Sequence, residues 1–376
     1  MDFTLYFKSR QAEMVKLLKE LVSRESPTQD KKAVDACSSF LVEEFRKLGC
    51  QISRLAQKEV GDFYLIKYFN QLKNRNQKPL LILTHIDTVW PVGKLNQMPF
   101  YISGDRIYGP GVLDMKAGLV MAFEAIKALF DLNIIPRRPI FIFINSAEET
   151  GHKAAHELIL KLARQSAYVL CLEPALPGGG LKTQRKGRMV IRMETKGRAA
   201  HAGTPEKGVN AINELILNLG KLKALQKGGI TANIGLIGGG EKPNIVPDKA
   251  WAVVDFRFWT NSEKQKILTF LHSLKPSLEG AKIKYHLESL TPPLEKSPAS
   301  REFFNRLQAI ASGLRLKLSE GKTGGGSDAS IAASTGVPTL DGLGPDGDGI
   351  HAKNEHLLLS SLIERTALLT EVMRQL

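Results

Sequence analysis

The sequence is poor in cysteine and has no long apolar run, and each absence excludes a class of protein. Its 376 residues include three cysteines, Cys37, Cys50 and Cys171, which are widely spaced and odd in number. They provide neither a disulfide framework nor closely spaced thiols for a zinc site, so we expect free thiols that are buried or partly buried. No stretch of about 18 uncharged apolar residues occurs, which excludes a predicted transmembrane helix.

Residues 1–26 also lack the features of a secretory signal peptide. They have no basic head, no continuous apolar segment and no small-residue cleavage site. The pattern is typical of an amphipathic helix, and we expect a cytoplasmic protein without a membrane partner.

The formal net charge is +14, but the basic residues are scattered along the chain. There is no arginine-rich tail and no RNA-binding motif with interleaved aromatic residues. This distribution favours a solvated basic surface, or attraction of acidic substrates, and we predict no nucleic-acid partner. A basic protein associated with nucleic acid remains an alternative of another class, and it depends on net charge alone.

The first half of the chain alternates between helical and strand periods. Apolar residues spaced by three and four predict helices, and short apolar runs predict strands. The helices are expected over 11–23, 31–48, 115–130 and 152–163, and the strands over 63–69, 79–87, 139–149 and 167–174. Such alternation predicts an α/β fold with a largely parallel, mixed sheet that is sandwiched by helices.

The pattern changes in the middle of the chain. Alternating residues there predict a half-exposed antiparallel sheet. Its four strands are expected over 188–198, 230–240, 249–259 and 282–290, with two helices near 209–225 and 262–274. We therefore predict an inserted α+β domain over 187–294, between the two parts of a catalytic domain at 1–186 and 295–376.

Acidic and histidine residues gather at the ends of strand-like runs. They lie in LTHIDTV, GPGVLDMKAG, NSAEETGH, CLEPA and GDGIHAKNEH, and they are His85, Asp87, Asp114, Glu148, Glu149, Glu173 and His351. In open α/β sheets ligands bind beyond the carboxyl ends of the strands, so these side chains can converge on one crevice. Each residue alone has an ordinary structural interpretation, but together they indicate a metal site.

These segments, taken together, resemble the two-zinc amidohydrolase family. The family includes glutamate carboxypeptidases, aminoacylases, acetylornithine deacetylases and succinyl-diaminopimelate desuccinylases. The resemblance covers nearly the whole chain in the same order and is greatest to the glutamate carboxypeptidase branch. Its landmarks are THIDTVWPVG, GPGVLDMKAG, AEETG, HAGTPEKGVNA, GGGSDAS and DGLGPDGDGIHAKNE.

The resemblance implies two Zn²⁺ ions per subunit, and Co²⁺ or Mn²⁺ could occupy the same ligands. One ion would take His85 and Glu173, and the other would take His351 and Glu149. Asp114 would bridge both ions through its two oxygens. Imidazole nitrogen and carboxylate oxygen are suitable zinc ligands, and a hydrolytic site leaves a position open for water.

The resemblance also assigns roles next to the ligands. Asp87 would accept the second imidazole N–H of His85, and Glu148 would be the general base. The peptide bond Asp114–Met115 is expected to be cis. Relatives commonly have Gly–Gly after the lysine of this turn, where this chain has Ala117–Gly118, a difference of one methyl group.

Three residues of the inserted domain match family positions that contact substrate. His201 would reach into the partner subunit's site and stabilise the tetrahedral oxyanion, which implies a homodimer. Asn244 and Arg257 would contact the substrate carboxylate or the oxyanion. The planar fork of an arginine suits a carboxylate.

The implied activity is zinc-dependent removal of a C-terminal amino acid, glutamate above all, from a small molecule or short peptide with a free carboxylate. A metal-bridged hydroxide would attack the amide bond, with Glu148 as general base. The alternative within the family is an N-acyl amino acid deacylase of aminoacylase or acetylornithine deacetylase type. The two activities share the metal site and differ in pocket shape.

Overall fold

The computed structural model describes residues 2–69 and 77–376. Its helices are α1 Phe3–Ser9, α2 Gln11–Ser23, α3 Lys31–Lys47, α4 Ala117–Asp131, α5 Lys153–Gln165, α6 Ala211–Lys221, α7 Asn261–Ser273, α8 Pro298–Gly313, α9 Asp328–Ala333 and α10 Leu359–Gln375. Its strands are β1 Gln51–Leu55, β2 Phe63–Tyr68, β3 Leu80–His85, β4 Tyr101–Ser103, β5 Arg106–Tyr108, β6 Ile140–Asn145, β7 Tyr168–Cys171, β8 Leu181–Arg185, β9 Gly187–Lys196, β10 Ala200–His201, β11 Thr231–Gly239, β12 Ile245–Val246, β13 Lys249–Phe258, β14 Lys282–Thr291, β15 Glu320–Thr323, β16 Thr339–Leu340, β17 Gly347–Asp348 and β18 His356–Leu358.

These residues divide into two compact units. One comprises the described residues of Met1–Thr183, Lys296–Lys322 and Ser327–Leu376, and the other comprises Gln184–Glu295 and Thr323–Gly326. The predicted domain limits, after residues 186 and 294, stay a prediction.

The first unit is built on a six-stranded sheet in the order β1-β2-β6-β3-β7-β16. Strand β3 is parallel to both β6 and β7, and β16 is parallel to β7, while β2 is antiparallel to both of its neighbours, β1 and β6. Every residue of β3 is buried, as expected for a strand covered on both faces. The prediction of a largely parallel mixed sheet is confirmed.

Helices cover both faces of this sheet. Alternate side chains of each strand point to opposite sides, and each set packs against different helices. Leu80 and Ile82 pack in one cluster with residues of α2, α3, α4 and α10. Leu81 and Leu83 pack in a second cluster with residues of α5 and α9. The three cysteines are free and buried, as predicted.

The second unit contains the predicted antiparallel sheet, in the order β11-β13-β9-β14. Inward residues of β9, such as Met189 and Ile191, pack with Leu215 of α6 and Ile267 of α7. The outward residues of β9 include charged side chains. This α+β unit, whose main sheet has four strands and packs against helices α6 and α7, confirms the predicted fold class.

No helix within the described residues is long and apolar enough to cross a membrane.

Candidate metal centre

The predicted metal ligands lie at the carboxyl ends of the parallel strands and in two loops of the first unit. His85 is the last residue of β3, Glu149 lies in the turn after β6, and Glu173 follows β7. Asp114 lies in the turn that precedes α4, and His351 follows β17. The structure brings all five side chains together.

Asp114 lies between the two histidines and offers a different oxygen to each. Nε2 of His85 is 3.1 Å from Asp114 Oδ1 and 3.6 Å from Glu173 Oε1. Nε2 of His351 is 3.4 Å from Asp114 Oδ2 and 3.2 Å from Glu149 Oε1. Each histidine therefore faces one oxygen of Asp114 and one further carboxylate.

These distances fit donors that share a metal ion. Two ligands that each lie about 2.0–2.1 Å from a tetrahedral zinc are roughly 3.3 Å apart. Two overlapping donor groups, each with all donor atoms within 4.8 Å of one another, include His85: one with Glu148 and Glu173, the other with Asp114 and Glu149. Nitrogen and carboxylate donors suit zinc, cobalt or manganese, so the residues fit the implied metals.

The turn that carries Asp114 has a backbone that ordinary residues adopt poorly. Gly111 has a φ of 69°, and a Cβ there would lie 2.6 Å from Thr88 Cγ2. Only glycine combines this conformation with so close an approach. The peptide bond Asp114–Met115 is cis, as predicted.

The carboxylate of Asp87 lies closer to backbone N–H groups than to the imidazole of His85. Nδ1 of His85 is 3.0 Å from the main-chain oxygen of Asp87 and 3.5 Å from its carboxylate. The carboxylate accepts the Thr28 hydroxyl at 2.7 Å and the backbone N–H groups of Glu148 and Glu149 at 3.2 Å each. Asp87 therefore holds the turn with both glutamates, and its main-chain oxygen is the nearer acceptor for His85 Nδ1.

The electrostatics of the centre follow from burial and close pairing. Although burial opposes it, hydrogen bonds with His351 and His85 hold the pKa of Asp114 below its usual range. Hydrogen bonds to Asp114 and Glu149 raise the pKa of His351 to about 10. Burial and the nearby charge of Glu173 raise the pKa of Glu148 well above its usual range. A carboxyl with a raised pKa is suited to accept and return a proton near neutrality.

The other three predicted residues belong to the second unit. His201 is exposed at the end of β10, and its Nδ1 accepts the backbone N–H of Gly203 at 3.0 Å. A neutral imidazole with this contact carries its proton on Nε2, which is then a free donor. Exposed Asn244 lies beside it, because its main-chain oxygen accepts the N–H of Ala202 at 3.0 Å.

Arg257 lies on β13, and its guanidinium group already contacts a carboxylate. Its Nε donates to Asp255 at 2.8 Å, and Nε of Arg188 donates to the same carboxylate at 2.7 Å. Arg188 lies directly opposite Arg257 in the β9–β13 pairing. Two guanidinium groups thus share one carboxylate, which leaves a net positive charge on this face of the sheet.

Sequence reasoning missed one residue that contacts the Asp114 turn. The carboxylate of Glu355 accepts backbone N–H groups of Gly111, Leu113 and Asp114. The sequence feature that could have indicated Glu355 is its position in the segment GDGIHAKNEH, four residues after His351.

Known proteins with a similar sequence include a carboxypeptidase and a desuccinylase. The sequence model of peptidase family M20/M25/M40 matches residues 81–375. Carboxypeptidase G2 of Pseudomonas sp. (strain RS-16) is 30% identical over 365 residues, 94% of this chain and 87% of that protein. A succinyl-diaminopimelate desuccinylase of Burkholderia ambifaria (strain MC40-6) is 27% identical over 363 residues, 91% of this chain and 93% of that protein.

The fold is also found in solved structures. The crystal structure of aminopeptidase PepT from Bacillus cereus ATCC 10987 has a TM-score of 0.78 at 23% identity, and the match covers 97% of this chain and 98% of that one. The family match over residues 81–375 shows that the chain belongs to the M20/M25/M40 peptidase family, a family of metallopeptidases.

Proposed function

We propose that the protein is a zinc-dependent exopeptidase that cleaves the amide bond to a C-terminal amino acid, glutamate foremost. The observation that carries this proposal is the position of Asp114, with one oxygen toward His85 and the other toward His351. The 30% identity to carboxypeptidase G2 favours a carboxypeptidase over other members of the family.

In this proposal His85 and Glu173 would hold one zinc ion, His351 and Glu149 would hold the other, and Asp114 would be a ligand to both. The chemistry that two bound zinc ions supply is polarisation of the scissile carbonyl and activation of water. The three carboxylates contribute three negative charges against four positive charges. A net positive charge therefore remains to favour the developing oxyanion.

Glu148 is the proposed general base. Its backbone is held by Asp87, and its carboxyl lies within reach of His85 and Glu173. It takes the proton of the attacking water and returns that proton to the leaving nitrogen. Both transfers use the same carboxyl group.

The second unit supplies the proposed substrate contacts. His201, with Nε2–H available, donates to the oxyanion in the site of the partner subunit. Arg257 and Asn244 contact the substrate carboxylate or the oxyanion. Because Arg257 shares Asp255 with Arg188, the charge available to a substrate carboxylate comes from both guanidinium groups.

A homodimer is part of this proposal. Strand β11 is an edge strand of its sheet, and its Leu236 and Ile237 are 59% and 58% exposed. Adjacent exposed apolar residues on an unpaired edge favour association with another chain. The cytoplasmic location stays a prediction.

An N-acyl amino acid deacylase is the second candidate. It is favoured by the 27% identity to a succinyl-diaminopimelate desuccinylase over nearly the whole length of both chains. The same metal centre serves both reactions, because each one hydrolyses an amide bond.

The test is hydrolysis of N-benzoyl-glutamate, N-benzoyl-alanine, short peptides ending in glutamate or alanine, and N-acetyl amino acids. Each assay is run with added zinc, with chelator and with Glu148→Gln. We expect chelator-sensitive release of C-terminal glutamate, reduced by about 10²–10⁴-fold in the variant because the proton acceptor is lost.

Glu157→Gln is the matched control, because Glu157 is an exposed residue of α5 that should leave turnover unchanged. Turnover confined to N-acetyl amino acids would assign the deacylase activity. Full activity of Glu148→Gln would contradict the proposed base.

A further inference from the structure

Glu355 is a buried carboxylate that is saturated with hydrogen bonds. Glu355 is only 1% exposed. One oxygen accepts the Trp90 indole N–H at 2.8 Å and the Gly111 N–H at 2.9 Å. The other oxygen accepts the N–H groups of Leu113 at 3.0 Å and Asp114 at 3.1 Å.

Three of these four donors belong to the turn that presents Asp114. Asp114 and Met115 have non-helical backbone angles, which interrupt the approach to α4. Backbone amides in such a turn lack the regular partners of a helix. A carboxylate has only acceptor sites, so two oxygens can satisfy several amides at once.

The same residue belongs to the segment that carries His351. Glu355 lies four residues after His351, and its N–H donates to the Ala352 carbonyl at 3.0 Å. Immediately after it, β18 pairs with β5, with His356 opposite Tyr108. Glu355 therefore connects two loops that are far apart in sequence and that contribute Asp114 and His351.

Burying the Glu355 carboxylate costs desolvation free energy, which other interactions of the folded protein must offset. Asp114, Glu149 and Glu173 already place negative charge in the same region, and a further buried carboxylate adds to the cost of desolvation. Four N–H donors offset that cost. An apolar side chain would avoid the cost but would leave the amides of the turn without acceptors.

We propose that Glu355 is a positioning residue of the metal centre: its carboxylate holds the turn so that both oxygens of Asp114 lie between His85 and His351. The inference rests on the metal centre of the proposed function. It does not depend on the substrate. Glu355 contacts neither the metal ligands' donor atoms nor the substrate in this assignment, and it acts through the backbone of Asp114.

The test compares Glu355→Gln with the parent protein. The amide keeps the size of the side chain but turns an N–H donor toward N–H donors of the turn, so Asp114 loses its fixed position. Metal affinity is measured on metal-free protein, with Zn²⁺ by calorimetry and with Co²⁺ by its visible absorption. We expect affinity to fall by about 10–100-fold, the usual effect of losing a residue that orients a ligand.

Trp90→Phe is the matched control. It removes one donor from the same carboxylate and leaves the three contacts to the turn, so its loss of affinity should be smaller. Glu355→Asp, which keeps the charge but shortens the side chain by one methylene, serves if Glu355→Gln does not fold. Thermal unfolding of each metal-free variant shows whether the fold is retained.

A folded Glu355→Gln protein that binds both metals as tightly as the parent would overturn the inference. A purely structural role predicts that result, with a lowered melting temperature and unchanged affinity. A parent protein that binds two metal ions but cleaves no substrate would contradict the proposed function alone. A parent protein that binds no metal would overturn both.

Discussion

At this centre a single residue can make important contacts with its main-chain atoms as well as with its side chain. Asp87 illustrates this, because its carboxylate binds the amides of Glu148 and Glu149, while its main-chain oxygen lies nearest to the second nitrogen of His85. One residue thus orients a ligand and holds the turn that carries the proposed base. Loss of its carboxylate would disturb both glutamates together.

Arg257 yields a prediction at the same scale. In the proposed function, Arg257→Ala removes a charged donor from the substrate carboxylate. Hydrogen bonds to charged groups contribute about 1.5–3 kcal/mol, so KM for substrates ending in glutamate should rise roughly 10- to 150-fold. Asp255 keeps its contact with Arg188, and the fold should therefore be retained. Steady-state kinetics provide the measurement.

The control for this prediction is Arg192→Ala. Arg192 lies on β9, on the same face as Arg188, and pairs with Glu194 at 2.9 Å. Removing it takes an equal charge from the same sheet. An equal rise in KM for both variants would indicate a general effect of charge and would contradict a specific role for Arg257.

At the scale of an element, helix α4 begins very close to the end of β7. A Cβ on Gly118 would lie 2.6 Å from the main-chain oxygen of Leu172, the residue before Glu173. The neighbouring Ala117 is also buried and carries its methyl group there. Of the two small residues after Lys116, only Gly118 therefore has to be a glycine.

We predict that Gly118→Ala destabilises the protein by about 1–3 kcal/mol, because the added methyl group forces backbone to move in a packed region. Gly220→Ala in α6 is the matched substitution, because nothing lies within 4 Å of its Cβ position. It should stabilise by about 0.5–1 kcal/mol, since alanine is the better helix former. Thermal unfolding of both variants provides the test, and equal melting temperatures would contradict the packing argument.

At the scale of the whole molecule, the proposed homodimer makes a prediction about the edges of the second sheet. Leu236→Glu places a charge on the exposed edge strand β11, and we expect the dimer to dissociate because an unpaired charge would be buried at the interface. Sedimentation velocity measures the change in mass. Leu287→Glu is the control, since Leu287 is similarly exposed on β14 at the opposite edge. Dissociation by the control alone would place the interface on the other edge.

Much of this molecule was predictable from sequence because its signals are local. Apolar periodicity predicted the alternating helices and strands, and the strand-end residues predicted a metal site. The resemblance supplied the cis bond at Asp114–Met115 and the ligand assignments.

The sequence by itself determined the main alternating helices and strands, the fold class and the chemical kind of site. Tertiary structure alone decided which groups meet: Glu355 with the Asp114 turn, Arg188 with Asp255, and the Asp87 carboxylate with the Glu148 and Glu149 amides. The physical reason is that periodicity and turn chemistry depend on neighbouring residues. A hydrogen bond between Asp114 and Glu355 depends on how two separate loops pack, and no local pattern contains that distance.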